Sequence, residues 1–416
     1  MRPSILLLCA AFFAAVTSSA AFAEDFSPQF QQMLSTKTLS KTAEDIATLQ
    51  KATPSTQLQT ALGITQFFQA IEHLGQQHYR YGVFYKDLRG LPLMRMPVPI
   101  NENPEPIRYE QAAQILAGVR DRLELAEKTL SQVNDPGMKL SFPVFLVMID
   151  YNNNGKEDQD ETLGELLLNL NPTFMRQPGQ EPMPLENLAE QFVIGFDQTD
   201  VYWLRGYCHL LMSFCDWALA HEMKDLYHVI APRVYAKPVD AAEPFPKKDG
   251  DWTGDIADAI AGIHLARFPV VHKERYQSIR EHLKQVIALS RKTWEAAAAE
   301  TDNDREWLPS PKQTGILQVP VTEDMVATWK TFLTESEEIL DGKKLVAHWR
   351  YPNEARGVNL KKYFDNPPAN FDIILMAHGV DLLPYIEKGE MTSPETWNDF
   401  NDMFRGNFFG YAIWFN

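Results

Sequence analysis

The sequence predicts a mainly α-helical protein, built from antiparallel helical hairpins in a solenoid-like or irregular bundle, with one small strand–loop–helix module. Apolar residues recur with the 3.6-residue period of an amphipathic helix along most of the chain. Proline-rich stretches separate these periodic segments, and proline ends helices because it lacks a backbone N–H. Apolar residues also make up 45% of the 416 positions, which is enough for a large buried core.

Segments with helical periodicity extend from the N-terminal region to the C-terminal end, and several are long enough to pair as hairpins. In chain order they are 42–52, 55–78, 107–133, 199–224, 255–268, 273–300, 322–340, 371–387 and 394–404. Proline-rich connections are predicted at 89–106, 172–183 and 232–246. Paired helices of this kind resemble tetratricopeptide and other α-solenoid scaffolds in architecture, although the chain lacks their 34-residue repeat.

The first 23 residues have the pattern of a secretory signal peptide. A basic start at Arg2 precedes an apolar core over 5–16, and Ala21-Phe-Ala23 forms an A-x-A cleavage site. The mature chain is therefore expected to begin near Glu24 and to be exported, to the periplasm or outside the cell. No later apolar run reaches the roughly 18 residues that a membrane span requires, so no span is predicted.

The predicted module in the middle of the chain begins with a β-rich apolar run over 140–149. A second short strand is expected at 193–196, paired with 145–149, and a helix is expected at 160–170. The segment between the first strand and this helix is the most specific signal in the sequence. It reads Asp-Tyr-Asn-Asn-Asn-Gly-Lys-Glu-Asp-Gln-Asp-Glu over residues 150–161.

Oxygen-bearing side chains stand at positions 1, 3, 5, 9 and 12 of this segment, and glycine stands at position 6. The pattern resembles the twelve-residue calcium loop of an EF-hand. Calcium takes about 6–8 oxygen ligands, and a short loop supplies them by curling around the ion, which requires a sharp turn at the glycine. The resemblance implies side-chain ligands and one backbone carbonyl, at position 7, from Asp150, Asn152, Asn154, Lys156, Asp158 and Glu161.

Two features distinguish this segment from a paired EF-hand sensor. Glu157 stands at position 8, which is usually aliphatic so that two loops can join through a short β-bridge. A strand-like segment, and not a helix, enters the loop, and no second loop of this pattern occurs. We therefore expect a solitary calcium site within 139–198, between an N-terminal helical region at 24–138 and a C-terminal helical region at 199–416.

Charge excludes two classes of partner. The chain has 39 basic and 55 acidic residues, a formal net charge of −16. Nucleic acids and anionic membranes attract basic surfaces, so neither is expected as a partner.

The two cysteines that follow the signal segment suggest a metal site less strongly than they suggest core packing. Cys208 and Cys215 are seven residues apart in the predicted helix 199–224. That spacing puts their Cα atoms about 10 Å apart, beyond the reach of a disulfide. Both belong to an apolar stripe, which predicts buried free thiols. The alternative is a copper site formed by Cys208, Met212 and Cys215.

Histidines provide the alternatives in which the protein is an enzyme. His221, Asp225 and His228 follow an i, i+4, i+7 spacing, but Asp225 replaces the second zinc-binding histidine of the H-E-x-x-H pattern. A solvated polar face at a helix end is the favoured explanation of these residues. A hydrolase of the cell envelope would instead assemble its site from distant helices, with His209, His221 and His228 near acids.

The favoured expectation is an exported calcium-binding protein in which the ion braces a helical binding or scaffold fold. Its partner, a protein or a small molecule, is unknown from sequence, and catalysis is not expected.

Overall fold

A computed structural model describes residues 25–83, 96–156, 161–170, 192–243, 252–317, 319–352, 354–403 and 415. The mainly α-helical prediction is confirmed, because these residues form long helices and only short antiparallel strands. The helices are α1 (Ser27–Thr36), α2 (Leu39–Ala52), α3 (Thr56–Tyr81), α4 (Tyr109–Leu130), α5 (Leu163–Leu170), α6 (Gln198–Leu219), α7 (Lys224–Val234), α8 (Thr253–Leu265), α9 (Glu274–Ala299), α10 (Glu323–Leu340), α11 (Leu360–Asp365), α12 (Ile373–His378) and α13 (Pro394–Met403). The strands are β1 (Leu140–Pro143), β2 (Val193–Phe196), β3 (Arg267–Pro269), β4 (Val346–Ala347), β5 (Arg356–Val358), β6 (Asn370–Asp372) and β7 (Ile386–Lys388).

Four long helices pack in a row and form the centre of the structure: α3 contacts α4, α4 contacts α6, and α6 contacts α9. Helix α10 extends the row beyond α9 and contacts α13. Capping residues define both ends of α3. Ser55 accepts a hydrogen bond from the Leu58 backbone N–H at the start of α3, and Gly82, with φ +61°, ends it. None of the helices within the described ranges is both long and apolar enough to cross a membrane.

Close helix contacts on α3 depend on glycine. A Cβ added at Gly63 would lie 2.5 Å from the Leu130 side chain of α4. A Cβ added at Gly75 would lie 2.2 Å from Cδ1 of Tyr151, which is fully buried. Since real Cβ contacts are longer than this, larger residues at either position would push the neighbouring element away. Gly75 therefore lets the chain segment that carries Tyr151 lie directly against α3.

The predicted strand pairing is shifted in the structure. Strand β2 pairs with β1, so that Phe142 stands opposite Ile194, and not with the predicted segment 145–149. A 3₁₀ turn at Val144–Leu146 explains the shift, because it takes Phe145 out of the ladder directly after Pro143. The Phe145 ring packs edge-on against Phe192 instead, with 5.0 Å between the ring centroids.

The predicted helix 199–224 ends early, at Leu219, because tertiary hydrogen bonds compete with helical ones after this residue. Glu222 N–H donates to the Pro269 carbonyl at 3.0 Å, and His221 forms an antiparallel bridge with Val270. The remaining chain restarts as α7 at Lys224.

The prediction of one helix over 371–387 is wrong. This segment contains strand β6, the short helix α12 and strand β7. Gly379, with φ +83°, ends α12 after six residues, and β6 and β7 pair with strands from elsewhere in the chain. The apolar residues of this segment are mostly half-buried or exposed, and its strands are too short to show an alternating pattern.

Candidate functional site

The candidate calcium loop, residues 150–161, is closed by backbone contacts at its two ends. Ile149 N–H donates to the Glu161 carbonyl at 2.8 Å, and Met148 forms an antiparallel bridge with Thr162. Leu163 N–H then donates to the Val147 carbonyl at 2.9 Å. These contacts bring the first and last residues of the loop together, which a loop wrapped around an ion requires.

Three side chains of the loop turn inward onto its own backbone. Asp150 accepts from Asn154 N–H at 3.0 Å and from Gly155 N–H at 2.9 Å, one bond to each carboxylate oxygen. The Asn152 side-chain oxygen accepts from Asn154 N–H at 2.9 Å, and the Asn154 oxygen accepts from Lys156 N–H at 2.7 Å. Positions 1, 3 and 5 therefore direct their side-chain oxygens at N–H groups of the loop itself.

Position 12 reaches back to the beginning of the loop. Glu161 is 2% exposed, and its Oε1 accepts from Asn152 N–H at 3.1 Å. The turn between the two ends uses left-handed backbone at Asn153, with φ +56°, and at Gly155, with φ +72°. A Cβ at Gly155 would have no neighbour within 4 Å, so glycine is needed here for its conformation and not for space. Asp158, at position 9, lies outside the described residues.

A carboxylate from α3 joins the loop, and the sequence did not predict it. Glu72 is 5% exposed, and its Oε1 accepts from the Asp150 N–H at 3.2 Å. Gln76, one turn later, donates to the Asp150 carbonyl at 3.0 Å. Burial raises the pKa of Glu72 to about 7, and the charges of Asp150 and Glu161 add to the shift. Glu72, Gln76 and Asp150 line a recess of about 230 Å³ together with Thr38, Ser40 and residues 153–155.

A second group of acids meets where α6 begins and α9 ends. Carboxylate oxygens of Asp197, Glu300 and Glu306 all lie within 4.8 Å of one another, close enough to share one cation. Thr199 Oγ1 donates to Glu300, and Gln313 Nε2 donates to the other Glu300 oxygen at 2.9 Å. Because no second feature points to a bound ion, we do not assign these acids as a metal centre.

Burial and mutual repulsion raise the pKa values of two acids in this second group. Burial, followed by the charges of Glu300 and Glu306, raises the pKa of Asp197 to about 7. Burial and the Asp197 charge raise the pKa of Asp200 well above its ordinary value, and burial also raises the pKa of Glu306. Lys139 is the facing cation, and it pairs with Asp302 and Asp304 on the same loop as Glu306. The group is therefore partly protonated at neutral pH.

His209 belongs to a buried polar network that joins α4, α6 and α9. Its Nδ1 lies 2.8 Å from His282 Nδ1, and its Nε2 lies 3.6 Å from Glu127. His282 Nε2 in turn lies 3.4 Å from Asp216, which is fully buried and also receives a 2.8 Å bond from Arg120. Charges of both signs are matched across this network, which fits a structural role in helix packing.

The other two histidines that the sequence selected lie in separate environments. His221 follows the end of α6, and its two ring nitrogens contact the Trp217 carbonyl at 2.6 Å and the Tyr276 hydroxyl at 2.9 Å. His228 is on α7, is exposed and contacts the Asp240 carbonyl at 2.9 Å. The structure therefore does not bring His209, His221 and His228 together. The helix break after Leu219 also separates His221 from the face that carries Asp225.

The sulfur-bearing residues lie in the core. Cys208 and Cys215 are free and buried, and Cys208 and Met212 pack with Ala70 and Leu123 in one apolar cluster. Burial raises the pKa of the Cys215 thiol to about 11, and burial also raises that of Cys208. Free cysteine and methionine pack as apolar side chains, and here Cys208 and Met212 form part of the core between α3, α4 and α6.

A cavity of about 680 Å³ lies beside His221. Side chains of α4, of the end of α6 and of α7 form most of its wall, with contributions from α3 and from the start of α9. This cavity is not predictable from the sequence, because its lining residues come from segments that are distant in the chain.

Comparison of the chain with protein-family models, with curated protein sequences and with solved structures finds no match. The function of the protein is therefore inferred from its residues and their geometry.

Proposed function

We propose that this is a calcium-binding protein in which the ion, held by the candidate calcium loop, braces a helical fold that serves binding or scaffolding in the cell envelope. The observation that carries the proposal is the closed loop with inward-turned oxygens at positions 1, 3 and 5. This donor set consists entirely of oxygens, which hard cations such as calcium prefer.

The position of the loop supports a bracing role. Tyr151, inside the loop, packs on Gly75 of α3, while Glu161 leads into α5 two residues later. Glu72 and Gln76 hold the Asp150 peptide from the other side. An ion in the loop would neutralise Asp150 and Glu161 and would offset their repulsion with Glu72, so that α3, the loop and α5 form one unit.

The expected affinity is weak. Among the proposed ligands only Asp150, Asp158 and Glu161 are charged, positions 3 and 5 are asparagine, and the loop is solitary. We expect a dissociation constant of about 10⁻⁵–10⁻³ M, which suits a calcium-rich compartment. Saturation at about 100 times the dissociation constant would add roughly 2.7 kcal/mol to the free energy of unfolding.

The test is calorimetric titration of the metal-stripped chain with calcium, combined with thermal unfolding of Glu161→Gln. The variant keeps the size of the side chain but loses the charge of the expected bidentate ligand. It should unfold at a lower temperature than the unmodified protein in calcium and at nearly the same temperature in chelator. Glu165→Gln is the matched control, because it makes the same change four residues further along the chain, in α5 and outside the loop.

Absence of calcium binding at millimolar ion would overturn the proposal. A large change in shape with calcium and no change in thermal stability would show that the loop regulates and does not brace.

A further inference from the structure

The cavity beside His221 is built by facing helical walls. On one side stand Ala112, Ala113 and Leu116 of α4. On the other stand Leu226 and Ile230 of α7, which are one helical turn apart. The alanines of α4 leave a space that larger side chains would fill, and α3 and α9 cover the ends. A volume of about 680 Å³ lies within the range of about 300–1,000 Å³ that is typical of small-molecule sites.

Three polar side chains in the wall, those of Tyr109, Tyr227 and His221, have partners within the protein. The Tyr109 hydroxyl accepts from Met223 N–H at 2.8 Å, and the Tyr227 hydroxyl donates to the Ile107 carbonyl at 2.7 Å. Both ring nitrogens of His221 are engaged, as described above. A buried ligand would therefore find few polar atoms to bind and would gain its affinity from apolar contact.

Charges around the cavity disfavour an anion. Arg275 is the arginine in the described lining, and it is paired with the buried carboxylate of Asp216. Glu110 and Glu222 are exposed carboxylates at the edge of the cavity. Glu110 is paired with Lys224 across 4.0 Å, so the charge that remains uncompensated among these carboxylates is that of Glu222, which repels an anion and leaves an uncharged ligand unaffected.

From these observations we propose that the cavity binds an uncharged, largely apolar small molecule. This site is distinct from the candidate calcium loop, and the inference does not depend on calcium binding.

The experiment is a fluorescence titration of the full chain with N-phenyl-1-naphthylamine, an uncharged apolar probe, and with 8-anilinonaphthalene-1-sulfonate, its anionic counterpart. The uncharged probe should bind saturably, with a dissociation constant in the micromolar range and one site per chain. The anionic probe should bind at least tenfold more weakly. Titrations in calcium and in chelator separate this result from the fate of the calcium proposal, because a cavity that binds in both conditions stands independently.

Ala113→Trp places an indole in the cavity and should weaken binding of the uncharged probe by tenfold or more. Gln114→Trp is the matched control, because Gln114 is the next residue of α4, is exposed and is not among the cavity residues. It should bind as the unmodified protein does. If Ala113→Trp does not unfold cooperatively, Leu226→Trp tests the opposite wall with the same expected loss.

The inference is overturned if the uncharged probe does not bind saturably, if the anionic probe binds as tightly, or if folded cavity variants bind as well as the control.

Discussion

Two buried groups of acids differ in how the chain assembles them. In the candidate calcium loop, Asp150 and Glu161 belong to one short segment of the chain, and backbone N–H groups of that segment donate to their oxygens. At the junction of α6 and α9, 101 residues separate Thr199 from Glu300, although their side chains are bonded. The acids of this junction lie close enough for their oxygens to repel one another.

The comparison shows two solutions to the cost of burying carboxylates. The loop surrounds its acids with backbone donors and leaves a recess in which a cation can add further compensation. At the junction, as at Glu72 beside the loop, burial raises the pKa values of the acids, so that protons reduce the charge. The first solution responds to metal concentration and the second to pH. Three predictions test this contrast, from the largest expected effect to the smallest.

The junction should make the protein less stable as pH rises. Asp197 has a pKa of about 7 in the folded protein and an ordinary value of 3.8, so the folded state retains a proton that the unfolded state has lost between these values. The contribution of this proton to the free energy of unfolding is therefore fully present below about pH 4. It is lost as pH rises through about 7, by on the order of 2–4 kcal/mol. Asp197→Asn, which preserves the cap of α6, should flatten this decline in thermal unfolding measured in chelator.

Asp121→Asn is the control for this prediction, because the Asp121 side chain is 75% exposed on α4. Its unfolding profile should parallel that of the unmodified protein. A decline as steep in Asp197→Asn as in the control would contradict the assignment of the pH dependence to the junction.

Removal of the α3 carboxylate should separate calcium affinity from stability. Glu72→Gln keeps an acceptor for the Asp150 N–H but removes a charge beside Asp150 and Glu161. At pH 8, calcium affinity measured by calorimetry should fall by roughly fivefold, about 1 kcal/mol. Stability in chelator should stay the same or increase, because the repulsion is gone. A loss of stability in chelator would show that Glu72 has a packing role and no electrostatic one.

The smallest effect is expected at position 7 of the loop. Lys156 would contribute its backbone carbonyl, so its side chain is free to vary. Lys156→Ala should leave the calcium dissociation constant within about twofold, since the small change reflects only the loss of an exposed positive charge. A tenfold change in calorimetric titration would mean that the ion is held by a different set of atoms.

Sequence alone predicted the helical class and selected the loop as the candidate site, because both depend on residues that are close in the chain. Helical period is local, and so is the spacing of Asp150, Asn152 and Asn154. Glu72 could not be predicted, since 78 residues separate it from the Asp150 amide that it contacts. The junction acids and the cavity were missed for the same reason.

Local pattern also failed where tertiary contacts overrode it. The period of 199–224 continues past Leu219, but the helix ends there because Glu222 N–H donates to the Pro269 carbonyl and Val271 N–H donates to the Ala220 carbonyl. The predicted partner of strand 193–196 was 145–149, whereas the actual partner is 140–143. The prediction is shifted because the 3₁₀ turn after Pro143 leaves no apolar signature of its own.

Helix α3 carries consecutive residues that serve two different places in the molecule. Leu74 lies in the wall of the cavity, and Gly75 lies under Tyr151 of the candidate calcium loop. Thermodynamic reciprocity then applies to any pair of molecules that bind there: if the ion changes the affinity of the cavity for its ligand by some factor, the ligand changes the affinity for the ion by the same factor. If this coupling is positive, a higher ion concentration in the compartment would strengthen the binding of the ligand in the cavity. A filled cavity would in turn lower the ion concentration at which the loop is half saturated.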